Sequence, residues 1–181
     1  MDTLRGSLLV ASPSLLDPNF RRSVVLVGEH SEEGAMGLVL NRPSPVSVAE
    51  AVPPLAAFVA DNELVHVGGP VQPQAIVVLG EFESPEKAGS IVVGSVGFLP
   101  STVEEDEDLG VVPRVRVFAG YAGWSPGQLE GEIDEDAWIV TDAAVEDVFC
   151  DEPDGLWSRV LQRMGGRYVL LARMPVDPAV N

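Results

Sequence analysis

Gly123, Trp124, Ser125, Pro126 and Gly127 fit the pattern G-x-S-x-G. In α/β-hydrolases that pattern turns a strand sharply into a helix and exposes a nucleophilic serine. The chemistry also needs an oxyanion hole, and one donor is the backbone N–H of the residue after the serine. Here that residue is Pro126, which has no N–H. Losing one such donor costs about 3 kcal/mol of transition-state stabilisation. Chain order is a second obstacle. The hydrolase histidine follows its serine, whereas His30 and His66, the only histidines, both precede Ser125. Because triads are defined by geometry, a triad recruiting either histidine would be a different arrangement. The same residues suit a helix start. Ser125 as N-cap, Pro126 at the first helical position and Gln128 three residues after the serine make a capping box. Glu130 and Glu132 would then lie near the positive helix end. On this reading Ser125→Ala loses about 1 kcal/mol of stability, and no catalytic residue is assigned.

Other residues carry chemical potential. His30 lies beside Glu29 and ahead of Glu32 and Glu33, but no H-E-x-x-H spacing accompanies it. A loop histidine bonded to nearby backbone is the better reading, and no metal site is expected. His66 sits in an alternating strand pattern and reads as a partly buried strand residue. Acidic neighbours of Cys150 would raise its thiol pKa, so it reads as structural. The stretch VGGPVQP, containing Gly69, could present backbone N–H groups to an anion, although a tight turn explains it more simply. It has no G-x-G-x-x-G fingerprint and no P-loop lysine, so no cofactor is implied. In GLVLNRPS, Asn41 can bond a turn and Arg42 can clamp a carboxylate or phosphate. The preferred reading is a strand-end turn with an internal salt bridge. Tyr121 and Trp124 flank glycines, where they could line a pocket or pack a helix onto a sheet.

The elements that must position these residues follow from hydrophobic patterning. Short Val- and Ile-rich runs predict strands at 7–11, 23–28, 37–40, 63–67, 75–80, 90–94, 114–120, 137–141 and 168–172. HSEEGAMG reads as a hairpin loop. SVAEAV predicts a short helix capped by Ser47 and stopped by Pro53 and Pro54. Leu156, Val160, Leu161 and Met164 have helical spacing before Gly165 and Gly166, and another short helix should include Val145, Val148 and Phe149. Connections are often too short for helical crossovers, which favours antiparallel or mixed pairing. The expected fold is a mixed α+β domain over 1–181, with a curved sheet or small barrel covered by helices and room for a small subdomain.

Composition narrows the function. Hydrophobic residues make up 46% of 181, enough for a substantial core. The formal net charge is −17, from 28 acidic and 11 Lys and Arg residues. Such a field repels phosphate backbones and argues against direct nucleic-acid binding. No apolar run reaches the roughly 18 residues of a membrane span. The N-terminus lacks the pattern of a signal peptide, and the single cysteine cannot close an internal disulfide, so a cytoplasmic location is expected. The segment 100–113 reads as an exposed acidic loop without calcium-loop grammar.

Several stretches together resemble the bacterial YqgE/AlgH family. They are GSLLVASPSLLDPNFRRSVVLVGEH, GAMGLVLNRP, VHVGGPV, FAGYAGWSPGQLEGEI and LWSRVLQRMGGRYVLLARMPVDPAVN. The resemblance spans essentially the whole chain, with segment 100–113 as its main departure. It implies an α+β fold with a mostly antiparallel, coiled and bifurcated sheet and a small barrel, surrounded by helices, in a cytosolic protein. One branch of the family carries a transcriptional-regulator label. No helix-turn-helix pattern accompanies it here, and the charge opposes it. No catalytic residues come with the resemblance. Shared motif positions point to His30, Asn41, Arg42, Gly69, Tyr121, Trp124 and Gln128 as a ligand or partner site. The leading expectation is a non-enzymatic binding or regulatory protein with a protein or small-molecule partner. A small-molecule enzyme with a pocket between LNRP and GYAGW is the alternative, and transcriptional regulation is the third.

Overall fold

The computed structural model describes residues 2–100 and 109–175. The chain runs through β1 (Ser7–Ala11), β2 (Val24–Ser31), β3 (Gly34–Val39), β4 (Pro43–Ser47), α1 (Val48–Ala51) and β5 (Leu64–Val67). It continues through β6 (Val71–Glu81), β7 (Ser90–Val93), β8 (Val96–Phe98), β9 (Arg114–Trp124), α2 (Gln128–Asp134) and β10 (Trp138–Asp142). Three short helices follow: α3 (Val145–Val148), α4 (Leu156–Met164) and α5 (Arg167–Leu171). Most of the expected acidic segment, residues 101–108, lies outside the described residues, as do 176–181.

The strands form a curled α+β sheet in the order β10-β1-β2-β3-β9-β6-β8-β7. Pairing along this path is antiparallel. The exception among the described pairs is β5, which runs parallel to β9 while pairing antiparallel with β4. β9 is the hub. Its last residues pair with β3, whereas its longer first part pairs with β6. Side chains alternate across a strand. Leu8 and Val10 of β1 therefore enter one core with Val24 and Leu26, and Leu9 and Ala11 enter another with Val25 and Val27. Burial on both faces explains why these strands read as unbroken apolar runs rather than alternating ones. Leu156, Trp157, Val160 and Leu161 of α4 cover the first core. Leu129 of α2, Trp124 and Trp138 fill the second.

Four local expectations are corrected. The run 168–172, expected as a strand, lies largely in α5, because Tyr168, Leu171 and Ala172 pack at helical spacing on the first core. A short apolar run satisfies either period until its packing partner is known. The HSEEGAMG loop contracts to a two-residue turn at Glu32 and Glu33, since β2 runs to Ser31 and β3 begins at Gly34. His30 is consequently a strand residue paired with Ala35. Beyond these expectations, PSPVS, to which the sequence assigned no element, forms an edge strand despite its prolines; among the described strands β4 pairs with β5 alone.

The fourth correction concerns the helix cap. Helix α2 starts at Gln128, with Gly127 as its N-cap and no side-chain capping bond there. Gln128 N donates to Ser125 O at 3.0 Å, and Gly127 has φ 76°. Pro126 and Gly127 thus occupy the central positions of a type II turn, where proline presets the first φ and glycine accepts the positive second one. One half of the predicted box survives: Ser125 N donates to Gln128 Oε1 at 3.0 Å. Ser47, by contrast, caps α1 as expected, accepting from Glu50 N at 3.2 Å.

Candidate functional site

The seven residues suggested by shared motifs fall into two groups. His30, Trp124 and Gln128 meet around α2. His30 Nε2 donates to Glu130 Oε1 at 2.7 Å, while Nδ1 accepts from Leu4 N at 2.9 Å. The imidazole thereby ties β2 to α2 and to the N-terminal segment. The hydrogen bond from His30 draws the Glu130 carboxyl below its usual range. Trp124 Nε1 and Trp138 Nε1 donate to the same Glu132 Oε2, at 2.8 and 2.9 Å. The two indoles pack edge-to-face at 6.2 Å, with Phe20 5.7 Å from Trp138. Gln128 Nε2 completes the network on Glu132 Oε1 at 3.2 Å. These bonds hold α2 against the sheet. Glu132 is the anchor that sequence reasoning assigned only to the helix dipole. Ser125 bonds no histidine among the described residues; its backbone contact is to Gln128.

Asn41, Arg42 and Gly69 belong to the second group. Asn41 is buried at the end of β3. Its Oδ1 accepts from Val24 N at 3.0 Å and its Nδ2 donates to Arg22 O at 2.9 Å. One carboxamide thus clamps the end of the DPNFRR segment to the NRP turn. On the other side Val67 N donates to Arg42 O at 2.7 Å, and Val39 N to Gly68 O at 2.8 Å. These bonds bring the GGP turn alongside NRP. At Gly69 an added Cβ would meet Tyr121 C at 2.2 Å, so only glycine lets this turn lie against β9.

Three turns, DPN, NRP and GGP, therefore converge on one cleft of about 240 Å³. Pro18, Pro43, Pro70, Val39 and Val67 form its apolar walls, and Asn19 and Arg42 supply its polar side chains. Arg42 is half-buried and donates through Nη2 to the Arg21 carbonyl. The expected internal salt bridge is absent: among the described residues no carboxylate pairs with Arg42. Burial alone lowers its pKa from the ordinary arginine value, and no acidic neighbour opposes that shift. The nearby Asp17 carboxylate is turned back onto Asn19 N at 2.8 Å. Tyr121 and Trp124 do not line the cleft. Tyr121 packs against the first core and Trp124 into the second. The wall prolines were the missed residues; their signal was the recurrence of Pro in three separated turns.

A buried polar cluster lies elsewhere. Arg116 Nη1 donates to Cys150 O at 3.0 Å, and Arg116 Nε lies 3.1 Å from Glu63 Oε1. Those last two atoms are not aligned for a hydrogen bond, so the contact is ionic. His66 is 4% exposed; Nδ1–H donates to Leu64 O at 3.2 Å and Nε2 has no partner. Burial first, and the Arg116 charge second, push His66 down to about 4, against a smaller raising effect from the Leu64 carbonyl. No group of three or more His, Cys, Asp or Glu side chains with metal-ligand geometry occurs among the described residues. No helix among them is long and apolar enough to cross a membrane.

The AlgH-like family model matches residues 8–169. A UPF0301 protein of Thermobifida fusca is 43% identical over 190 residues, covering 99% of this chain and 96% of its own length. Another from Chlorobaculum tepidum is 41% identical, covering 97% and 95% respectively. Among solved structures, a crystal structure of a Corynebacterium diphtheriae protein aligns with a TM-score of 0.86 at 29% identity, over 95% of this chain and 93% of the other. The solution structure of the AlgH protein from Pseudomonas aeruginosa aligns with a TM-score of 0.70 at 30% identity, over 97% and 98%.

Proposed function

The chain belongs to the AlgH-like family, and from that premise and the geometry of the proline-walled cleft we propose a non-enzymatic, cytoplasmic binding protein with a regulatory role. Its ligand is anionic and is held by Arg42. One observation carries this reading: in a chain of net charge −17, a half-buried arginine lines a cleft with no carboxylate partner among the described residues. An arginine in that state has donors free for a bidentate anion and has already borne part of its desolvation cost. The cleft offers a cation, a carboxamide and rigid apolar walls, which suit recognition. It brings no paired nucleophile and base to a substrate, and the aromatics invoked for an enzyme pocket lie outside it.

The test is an amide and guanidinium NMR titration with phosphate, sulfate and acetate. Shifts confined to Arg42 Nε and the amides of Asn19 and Gly69, abolished in Arg42→Gln, are expected. Spectra that do not respond to any of the three anions at Arg42 would sink the proposal.

A further inference from the structure

The cleft's walls say more about the ligand than its charge does. Of the eight lining residues, Arg42 alone is charged and Asn19 alone adds a polar side chain. The remainder are three prolines, two valines and Gly69. The prolines carry no N–H, and the Val39 and Val67 N–H groups are already bonded to the Gly68 and Arg42 carbonyls, so these apolar walls have no free backbone donor for ligand hydroxyls or ring nitrogens. A sugar phosphate or nucleotide would leave most of its polar groups unpaired there, at a cost for each buried one. A ligand body that needs no partners is the body such walls accept. Val67 is 44% exposed along this surface, which leaves apolar area for a ligand to cover. The volume, about 240 Å³, lies below the roughly 300–1,000 Å³ of drug-sized pockets, so the occupant is small or is the end of something larger. At the polar end one guanidinium fork matches one planar carboxylate.

We infer that the cleft binds an apolar monocarboxylate, with its carboxylate on Arg42 and its hydrocarbon body against the prolines and Val67. This rests on the anion-site reading above and narrows it. Two sources supply the same chemistry: a free branched-chain acid and the carboxy-terminal residue of a polypeptide ending in an apolar side chain.

Calorimetry and NMR on the full chain separate the outcomes. The probes are acetate, 4-methylpentanoate, inorganic phosphate, and a hexapeptide ending in Leu with either a free or an amidated terminus. Binding of 4-methylpentanoate or the free-terminus peptide should be at least tenfold tighter than acetate, since each buried methylene adds affinity. Amidation should abolish peptide binding, and Arg42→Gln should abolish both. Should Arg42→Gln unfold the protein, Val67→Ser, at an exposed wall position, provides the second measurement. It should weaken 4-methylpentanoate severalfold more than acetate. Tighter binding of the free acid assigns a metabolite source, and tighter binding of the peptide a polypeptide source; either supports the inference. Phosphate binding as tightly as 4-methylpentanoate would overturn it while leaving the anion site standing. Equal affinity of the free and amidated peptides, with no advantage of 4-methylpentanoate over acetate, would overturn it too. Failure of every probe at Arg42 removes both readings.

Discussion

Acidifying the protein from neutral pH should cost stability through one residue, His66. In the fold its pKa is about 4, against the ordinary 6.5. With Nδ1–H bonded to the Leu64 carbonyl, a second proton must enter at Nε2, which is buried and without a partner beside Arg116. The unfolded chain binds that proton near pH 6.5, and the folded chain refuses it until about pH 4. Between those values the unfolded state holds more protons, so stability falls as pH falls. The whole gap corresponds to about 3 kcal/mol, and the part lost between pH 7 and pH 5 to about 2 kcal/mol. Urea unfolding of the native chain and of His66→Gln across this range isolates the effect, because other titrating groups cancel in the difference. The native chain should lose about 2 kcal/mol relative to the variant. Parallel stability curves, or a folded-state NMR titration of His66 centred near its ordinary value, would refute the reasoning.

Three further substitutions probe the α2 anchor. Glu132→Ala removes the acceptor shared by Trp124 and Trp138 and should cost about 3 kcal/mol in urea unfolding, with a change in tryptophan fluorescence. Ser125→Ala should change stability by less than about 0.5 kcal/mol, because its hydroxyl does not cap α2. Gln128→Ala should cost about 1 kcal/mol, since its carboxamide bonds both Ser125 N and Glu132. The opposite ranking of the last two in the same assay would restore the predicted serine cap.

Strands were legible wherever burial on both faces demanded an unbroken apolar run, as in β1 and β2. They were illegible where pairing rather than side-chain chemistry makes the strand. PSPVS becomes β4 only because β5 lies beside it. The first residues of β6, VQPQ, extend the strand through a register shift between Val71 and Ile76 against β9. The YVLLA run failed for the opposite reason. Its apolar residues fit both periods, and only the proximity of α4 decides for a helix. The GWSPG motif marks the strand-to-helix junction, but the N-cap of α2 is Gly127 rather than Ser125. The G-x-S-x-G pattern hides a second signal at Gly127, because a glycine after proline also specifies a type II turn.

The site was half legible for a reason rooted in charge pairing. Arg42 could be singled out from NRP, but whether it had a salt bridge depended on which acids the fold brings near it. Arg114 finds Glu81 directly across the β6–β9 ladder and Glu146 from α3, at separations of 33 and 32 residues. Arg116 meets Glu63, and Arg163 grips Asp147 with two bonds of 2.9 Å. Arg159 likewise meets Glu152, whereas Arg5, Arg22 and Arg42 donate to backbone carbonyls instead. Asn41 positions the turn that carries Arg42. By fastening Arg22 and Val24 just beyond the end of β3, it sets the DPN and NRP turns side by side, and the Asp17 carboxylate accepts from the Asn19 amide. Asn41, one of the candidate site residues, therefore acts as the turn-bonding clamp that its side chain suggested. Asn41→Ala should accordingly loosen the cleft and lose anion binding without touching Arg42, whereas Asn41→Asp, which replaces the amide donor with an acceptor facing the Arg22 carbonyl, should fail for the same geometric reason.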